Sequence, residues 1–127
     1  MIRYVIGDYA EFGEPCPCGR GLPVLRRILG RTRNVVILPS GGKRFSMLPG
    51  RTFARIPAIV QHQVAQTALE EIEVRLVARK PLEPAEENSI RDEIVDQLGH
   101  PFRIRFTYCD EIPRSPEGKF EDFRSEL

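Results

Sequence analysis

The stretch that most restricts the fold lies between residues 72 and 108, where two strand patterns flank a helix pattern. Residues 72–78 and 102–108 both alternate apolar with mostly polar side chains, which is typical of strands with one buried face. Between them, apolar residues recur at helical spacing, at Ile90, Ile94, Val95 and Leu98. Pro84 suits a first helical turn, Gly99 can end the helix, and Pro101 prevents its continuation. The pattern therefore predicts a strand, a helix of roughly three to four turns and a second strand.

Weaker patterns upstream extend this unit. The apolar run 35–38 predicts a strand, and residues 60–68 predict another. Between them, residues 53–59 predict a short helix whose regularity is limited by Pro57. This order of elements predicts a small α+β domain with its helices on one face of a sheet.

The first quarter of the chain has a different character. Short strand-like pieces at residues 3–6 and 24–29 are separated by glycine, proline and cysteine. Because these pieces are short and irregular, we do not expect them to close a core of their own. We expect the segment to pack against another part of a longer protein, of which this chain is the tail.

Composition argues against several classes of protein. No apolar run approaches the roughly 18 residues that a membrane span needs, and the start has no signal-peptide pattern. The cysteines are Cys16, Cys18 and Cys109, an odd number that cannot form a disulfide framework. We therefore expect a cytoplasmic protein that does not interact with membranes.

Charge is distributed unevenly along the chain. Residues 1–55 carry ten Lys and Arg against three acidic residues, whereas residues 56–127 carry nine against fifteen. The basic front half favours an anionic partner, of which phosphate is the commonest, although an ordinary solvated surface explains these charges equally well. Nucleic acid is disfavoured, because the predicted strands lack the paired aromatic residues that stack bases.

Two motifs in the front half carry side chains suited to a nucleotide. In Gly7-Asp8, the carboxylate can accept hydrogen bonds from the two hydroxyls of a ribose, although Gly-Asp is also a common turn. Arg31, after Gly30, could bind phosphate or ribose. Each motif alone therefore has an ordinary structural explanation.

Two further motifs follow downstream. Gly41-Gly42 would let the backbone approach a ligand closely, although a β-hairpin with a glycine turn explains the same residues. Lys119 ends a stretch that begins at Pro113, where prolines and a glycine stiffen and bend a surface loop. Its ammonium group suits a phosphoryl or carboxylate oxygen, but a lysine in a polar tail is ordinarily solvated.

Taken in order, Gly7-Asp8, Gly30-Arg31 and the Pro113–Lys119 stretch resemble the C-terminal motifs of the adenylate-forming superfamily, which contains acyl- and aryl-CoA ligases, luciferases and peptide-synthetase adenylation domains. Residues 12–25, Phe-Gly-Glu-Pro-Cys-Pro-Cys-Gly-Arg-Gly-Leu-Pro-Val-Leu, look like the phenylacetate-CoA ligase branch, with its CapK-type capsule-biosynthesis and coenzyme F390 synthetase-like members. The ending Ile-Pro-Arg-x-x-x-Gly-Lys-Phe at 112–120 fits the same branch.

The resemblance implies a division of the chain into two parts. Residues 1–32 would be the last piece of a large N-terminal adenylation domain, and residues 33–127 the mobile, ferredoxin-like C-terminal lid, with a hinge at Arg33. The chain would then be part of an AMP-forming acyl- or aryl-CoA ligase, inactive without its N-terminal domain. A stand-alone binding or regulatory module with the same fold is the alternative.

The resemblance also implies roles for individual residues. Asp8 and Arg31 would bind ATP, and Lys119 would be the catalytic lysine that contacts the carboxylate and the α-phosphate. Gly41 and Gly42 would line the tunnel for the pantetheine arm of CoA. The complete enzyme would use ATP with Mg²⁺, CoA and a small carboxylate, none of them bound tightly by this part alone.

The remaining candidates for chemistry are cysteines and histidines. Cys16 and Cys18 resemble half of a zinc knuckle, but the rest of the chain offers only Cys109, His62 and His100 toward the four ligands that zinc takes. We therefore expect no complete metal site within this chain, although a site shared with another domain stays open. His62 and His100 are expected to be structural.

Overall fold

A four-stranded sheet lies at the centre of the protein, which a computed structural model describes over residues 8–31, 35–45, 50–114 and 120–127. The strands in these ranges are β1 (Asp8–Phe12), β2 (Leu25–Arg31), β3 (Val35–Ile37), β4 (Lys43–Phe45), β5 (Ile59–Ala68), β6 (Glu71–Ala78), β7 (Arg103–Tyr108) and β8 (Phe123–Ser125), and the helices are α1 (Gly50–Ala54) and α2 (Pro84–Leu98). The predicted α+β class is confirmed.

The central sheet has the strand order β7-β6-β5-β8. β5 and β6 form an antiparallel hairpin, whereas β7 runs parallel to β6 and β8 runs parallel to β5. Helix α2 connects the parallel strands β6 and β7, as a parallel pair requires a crossover. Two antiparallel hairpins, β1-β2 and β3-β4, form separate small sheets.

The strand and helix patterns between residues 72 and 108 are confirmed. The core-facing side chains of β6 and α2 are almost completely buried, and they are Ile72, Val74, Leu76, Ile90, Ile94 and Leu98. Alternation in the strand and the three-to-four-residue spacing in the helix bring these apolar side chains into one core. The helix therefore owes its position to the packing of one apolar face on the sheet.

Both ends of α2 follow from local chemistry. At the start, the backbone N–H of Glu83 donates a hydrogen bond to the Glu86 carboxylate at 2.9 Å. At the end, Gly99 adopts φ 65°, and its N–H donates to the carbonyl oxygen of Val95 at 2.9 Å. The last turn holds no basic residue, but a Cβ placed on Gly99 would lie 3.2 Å from the guanidinium of Arg44. Strand β4 thus supplies the positive charge that favours a helix C-terminus.

Several predicted boundaries change in the structure. The helix predicted over residues 53–59 is α1, which starts at Gly50 and ends at Ala54, so that the prediction was wrong at both ends. Proline disfavours helix at the residue before it, and Pro57 therefore opposes a helix that continues through residue 56. The strand predicted over 24–29 is β2, and the run 35–38 gives β3. The strand piece predicted at residues 3–6 lies outside the described residues.

The β1-β2 hairpin exposes several large apolar side chains. Phe12 is 77% exposed, Ile28 is 65% exposed and Leu22, in the connecting loop, is 67% exposed. The hairpin therefore buries little of its own apolar surface, in line with the expectation that it closes no core of its own. Within the described residues, no helix has the length and apolarity to cross a membrane.

His62 has a structural role in the core. Its ring stacks on Phe53 of α1 at 4.0 Å between centroids and 5° between planes. Burial lowers the pKa of His62 below the ordinary value, and the negative charge of Asp122 opposes this only in part. His100 likewise packs edge-on against Phe102 at 4.7 Å.

We expect stability to fall as the pH drops below about 6.5, the ordinary histidine pKa. In that range the unfolded chain takes up a proton at residue 62, whereas the folded protein stays neutral there until its lower pKa is reached. The effect is complete once the pH lies below the folded pKa. Urea unfolding of the wild type and of His62→Phe between about pH 7.5 and 5.5 measures it, because the variant keeps His100 and loses only this titration. Equal pH dependence in both proteins would contradict the assignment.

Candidate functional site

The two predicted ATP-binding residues occupy paired backbone positions in the β1-β2 hairpin. Asp8 is the first described residue of β1, and in the antiparallel register it pairs with Arg31, the last residue of β2. The Asp8 side chain is exposed. Positions separated by 22 residues of sequence are thus brought to one end of the hairpin by strand pairing.

The Gly41-Gly42 motif forms the turn of the β3-β4 hairpin. The N–H of Gly41 donates to the Leu38 carbonyl at 2.8 Å, and the N–H of Leu38 donates to the Gly42 carbonyl at 2.7 Å. Gly41 has φ 87°, a conformation that favours glycine, and a Cβ there would meet no atom within 4 Å. The hairpin interpretation is confirmed, and the turn presents bare backbone with open space around Gly41.

A buried glutamine joins this hairpin to the central sheet. Gln66 of β5 is 0% exposed, and its side-chain amide binds both backbone groups of Ile37. The N–H of Ile37 donates to Gln66 Oε1 at 3.0 Å, and Gln66 Nε2 donates to the Ile37 carbonyl at 2.7 Å. This amide therefore connects β3 to β5 as a neighbouring strand would.

The described residues on either side of 115–119 are anchored by burial and by hydrogen bonds to β5. Ile112 on one side and Phe123 on the other are 2% and 4% exposed. On the C-terminal side, the Asp122 carbonyl accepts the N–H of Val64 at 2.8 Å, and the Glu121 carbonyl accepts a hydrogen bond from Gln63 Nε2 at 2.9 Å. Lys119 itself and the predicted hinge residue Arg33 lie outside the described residues.

A charged network on the outer face of the sheet joins β6 to the residues after β8. Arg75 makes two hydrogen bonds to the Glu126 carboxylate, at 3.0 and 3.2 Å, a third to Glu73 at 2.9 Å and a fourth to Gln63 Oε1 at 3.0 Å. Glu73 is only 8% exposed and also accepts a hydrogen bond from Thr107 at 2.7 Å. Polar side chains joined by hydrogen bonds cover this face of the sheet, whereas the opposite face packs against the core.

The pKa values in this network follow from its geometry. Burial by itself raises the pKa of Glu73, but hydrogen bonds from Thr107 and Arg75 and the charges of Arg75 and Arg105 outweigh it, so that the pKa lies below the usual range. The hydrogen bonds from Arg75 to Glu126, and then those to Glu73, raise the pKa of Arg75 despite its partial burial. Both groups are therefore held in their charged forms.

No motif in the sequence points to Gln63, Gln66 or Arg75. Their sequence signal is weak, because glutamine and arginine in a strand ordinarily face solvent. Only the register shows that Gln66 lies on the same face as Val64, which is 1% exposed, and that Gln63 lies opposite Arg75. The three side chains bind segments far away in sequence.

The two neighbouring cysteines lie in the exposed loop between β1 and β2. The N–H of Cys18 donates a weak hydrogen bond to Cys16 Sγ at 3.5 Å, and both side chains are exposed. A hydrogen bond between the Cys16 and Cys18 side chains, followed by one from the backbone of Arg20, lowers the pKa of the Cys18 thiol. Across the described ranges, no group of three or more His, Cys, Asp and Glu residues could hold a metal ion.

Solved structures with a similar fold include fatty acyl-adenylate ligases, a coenzyme A synthetase and an acyl-CoA ligase. Fatty acyl-adenylate ligases from E. coli and L. pneumophila match with a TM-score of 0.56 and 19% identity, over 90% of this chain and 20% of theirs. O-succinylbenzoate coenzyme A synthetase from Bacillus subtilis, in complex with AMP, matches with a TM-score of 0.52 and 19% identity, over 90% and 22%.

2-Hydroxyisobutyryl-CoA ligase in the postadenylation state has a TM-score of 0.52 and 19% identity, over 99% of this chain and 29% of that one. The chain thus spans less than a third of the length of these proteins. At such low identity the likeness concerns the fold, and it confirms the fold that the motif resemblance implies. No curated protein sequence matches the chain.

Residues 46–125 match the family described as the CapK C-terminal domain. The match runs from just before α1 to the end of β8, so that it includes the central sheet, both helices and the segment with Lys119. Because it spans more than half of the 127 residues, this chain belongs to the CapK C-terminal domain family.

Proposed function

We propose that this chain is the C-terminal lid portion of an AMP-forming acyl- or aryl-CoA ligase. In the first half-reaction, a carboxylate oxygen attacks the α-phosphorus of ATP, which gives an acyl-adenylate and pyrophosphate. In the second, the CoA thiol attacks the acyl carbon, which gives a thioester and releases AMP and a proton. The observation that carries the proposal is the family match over residues 46–125, a range that contains Lys119.

Asp8 and Arg31 are proposed to hold the nucleotide. Their pairing at one end of the β1-β2 hairpin supports this role, since both would reach one ligand. A carboxylate accepts the two hydroxyls of a ribose, and a guanidinium donates to ribose or phosphate oxygens. The exposure of Asp8 is consistent with a site that another domain completes.

Lys119 is proposed to act in adenylation. Negative charge grows on the oxygens around the α-phosphorus as the carboxylate attacks, and a positioned ammonium group stabilises that charge.

The Gly41-Gly42 turn is proposed to act in the second half-reaction, along the path of the pantetheine arm. Bare backbone at Gly41 and open space around it suit the close approach of an extended chain. A rotation about a hinge at Arg33 would move Lys119 away from the reacting centre and bring this turn to it. The domain boundary would then lie between residues 32 and 33.

The proposal requires parts that this chain does not supply. An N-terminal adenylation domain would provide the triphosphate site and the pocket for the small carboxylate, and ATP would arrive with Mg²⁺. A cytoplasmic location stays a prediction of the same proposal.

Residues 1–127 alone are therefore expected to show no carboxylate-dependent exchange of pyrophosphate into ATP. The complete ligase is expected to catalyse this exchange and to form the acyl-CoA thioester with one of a panel of acyl and aryl acids, detected by mass spectrometry. Rapid exchange by residues 1–127 would overturn the division into domains. Tight binding of a ligand or protein without any turnover by the complete protein would favour a non-catalytic module with the same fold.

A further inference from the structure

We propose that Gln66 is a positioning residue for the Gly41-Gly42 turn and thereby controls the use of CoA. The proposal rests on the proposed function of that turn in thioester formation. Gln66 does not touch the turn; it binds Ile37, which lies next to the residue that closes the turn.

A side chain, and not backbone pairing, makes the hydrogen bonds between the β3-β4 hairpin and strand β5. β3 and β4 form their own sheet, and β3 is not a hydrogen-bonded neighbour of β5. The Gln66 amide nevertheless offers β3 one acceptor and one donor, at 3.0 and 2.7 Å from the backbone of Ile37. It thereby fixes both the distance and the register between β3 and β5.

The position of Ile37 determines the position of the glycine turn. Leu38 follows Ile37, and its N–H and carbonyl make the two hydrogen bonds that close the turn, to Gly42 and Gly41. Leu38 also packs against the core. A shift of Ile37 relative to β5 therefore moves the turn as a unit.

The central sheet does not need this amide for its own pairing. The backbone of Gln66 already pairs with Ile72 on one side and with Ser125 on the other. An apolar side chain of similar volume would fill the same buried space without the cost of desolvating an amide. Gln66 Nε2 also makes a longer hydrogen bond, 3.4 Å, to the Leu69 carbonyl in the turn between β5 and β6. The shorter bonds, at 3.0 and 2.7 Å, go to the two backbone groups of Ile37, and these account best for an amide at this position.

The first test measures anchoring in the 127-residue chain by amide hydrogen exchange. Gln66→Leu should raise exchange at residues 35–45, whereas it should leave β6 and α2 protected. Gln63→Leu is the matched control, since Gln63 is a buried glutamine of the same strand, 3% exposed, whose amide binds Glu121 and Arg75 and makes no hydrogen bond to Ile37. Gln66→Met, which keeps the length of the side chain, replaces Gln66→Leu if the latter does not fold. Equal exchange at 35–45 in the Gln63 and Gln66 variants would overturn the proposal.

The second test separates the two half-reactions in the complete ligase. Gln66→Leu should raise KM for CoA by about tenfold or more, the scale expected when a supporting residue shifts a site by a fraction of an ångström. The rate of pyrophosphate exchange should stay near that of the wild type, and Gln63→Leu should leave KM for CoA unchanged. An unchanged KM, or equal losses in both half-reactions, would overturn the proposal. Absence of exchange and thioester formation in the wild type would instead refute the proposed function.

Discussion

Replacement of Lys119 by alanine in the complete ligase is expected to slow adenylation by about a hundredfold or more, the effect of removing one preorganised charge. The lysine is proposed to stabilise charge only while the carboxylate attacks phosphorus. Transfer of a pre-made acyl-adenylate to CoA should therefore proceed at nearly the wild-type rate. Pyrophosphate exchange measures the first half-reaction, and single-turnover thioester formation measures the second.

Lys80→Ala is the control for this prediction. Lys80 is an exposed lysine between β6 and α2, so that its loss removes the same charge from the domain at another place. We expect this variant to keep both activities. Equal losses of both half-reactions in Lys119→Ala would mean that Lys119 maintains the structure or that the lid does not rotate.

Replacement of Arg75 by alanine is expected to lower the free energy of unfolding by about 2–3 kcal/mol, because it leaves a largely buried carboxylate without its main partner. Glu73 would keep Thr107 and the more distant Arg105, at 2.7 and 3.6 Å, but Glu126 would lose both hydrogen bonds from Arg75. The loss should appear at neutral pH in urea unfolding, with an unchanged slope against urea.

Arg124→Ala is the matched control for Arg75→Ala. Arg124 also pairs with Glu126, at 3.3 Å, but its side chain is 46% exposed. An exposed pair contributes little, so the control should change the unfolding free energy by less than about 1 kcal/mol. Equal effects in the two variants would show that burial of the Glu73–Arg75 pair does not matter to stability.

The sequence predicts the central elements well because their patterns are long and regular. β6, α2 and β7 each present apolar residues on one face, and Gly99 and Pro101 mark the end of the helix. β8 could not be predicted in this way. It has only three residues, with Phe123 the one buried side chain, and it exists because the parallel strand β5 supplies its hydrogen bonds.

Part of the candidate site is predicted from sequence motifs and not from regular patterns. Asp8 and Arg31 stand in motifs whose order in the sequence resembles a known family, and the structure adds that the two residues pair across a hairpin. The positioning residue Gln66 has no such motif. Its importance comes from a contact with Ile37, 29 positions earlier in the chain, and only the fold brings the two together.

If this chain completes an adenylate-forming ligase, its removal should abolish the first half-reaction. Carboxylate-dependent pyrophosphate exchange is compared between the complete protein and the same protein ending at residue 32. We predict exchange by the complete protein, and a loss of about a hundredfold or more when residues 33–127 and Lys119 with them are removed. Exchange that is equally fast without residues 33–127 would contradict the claim.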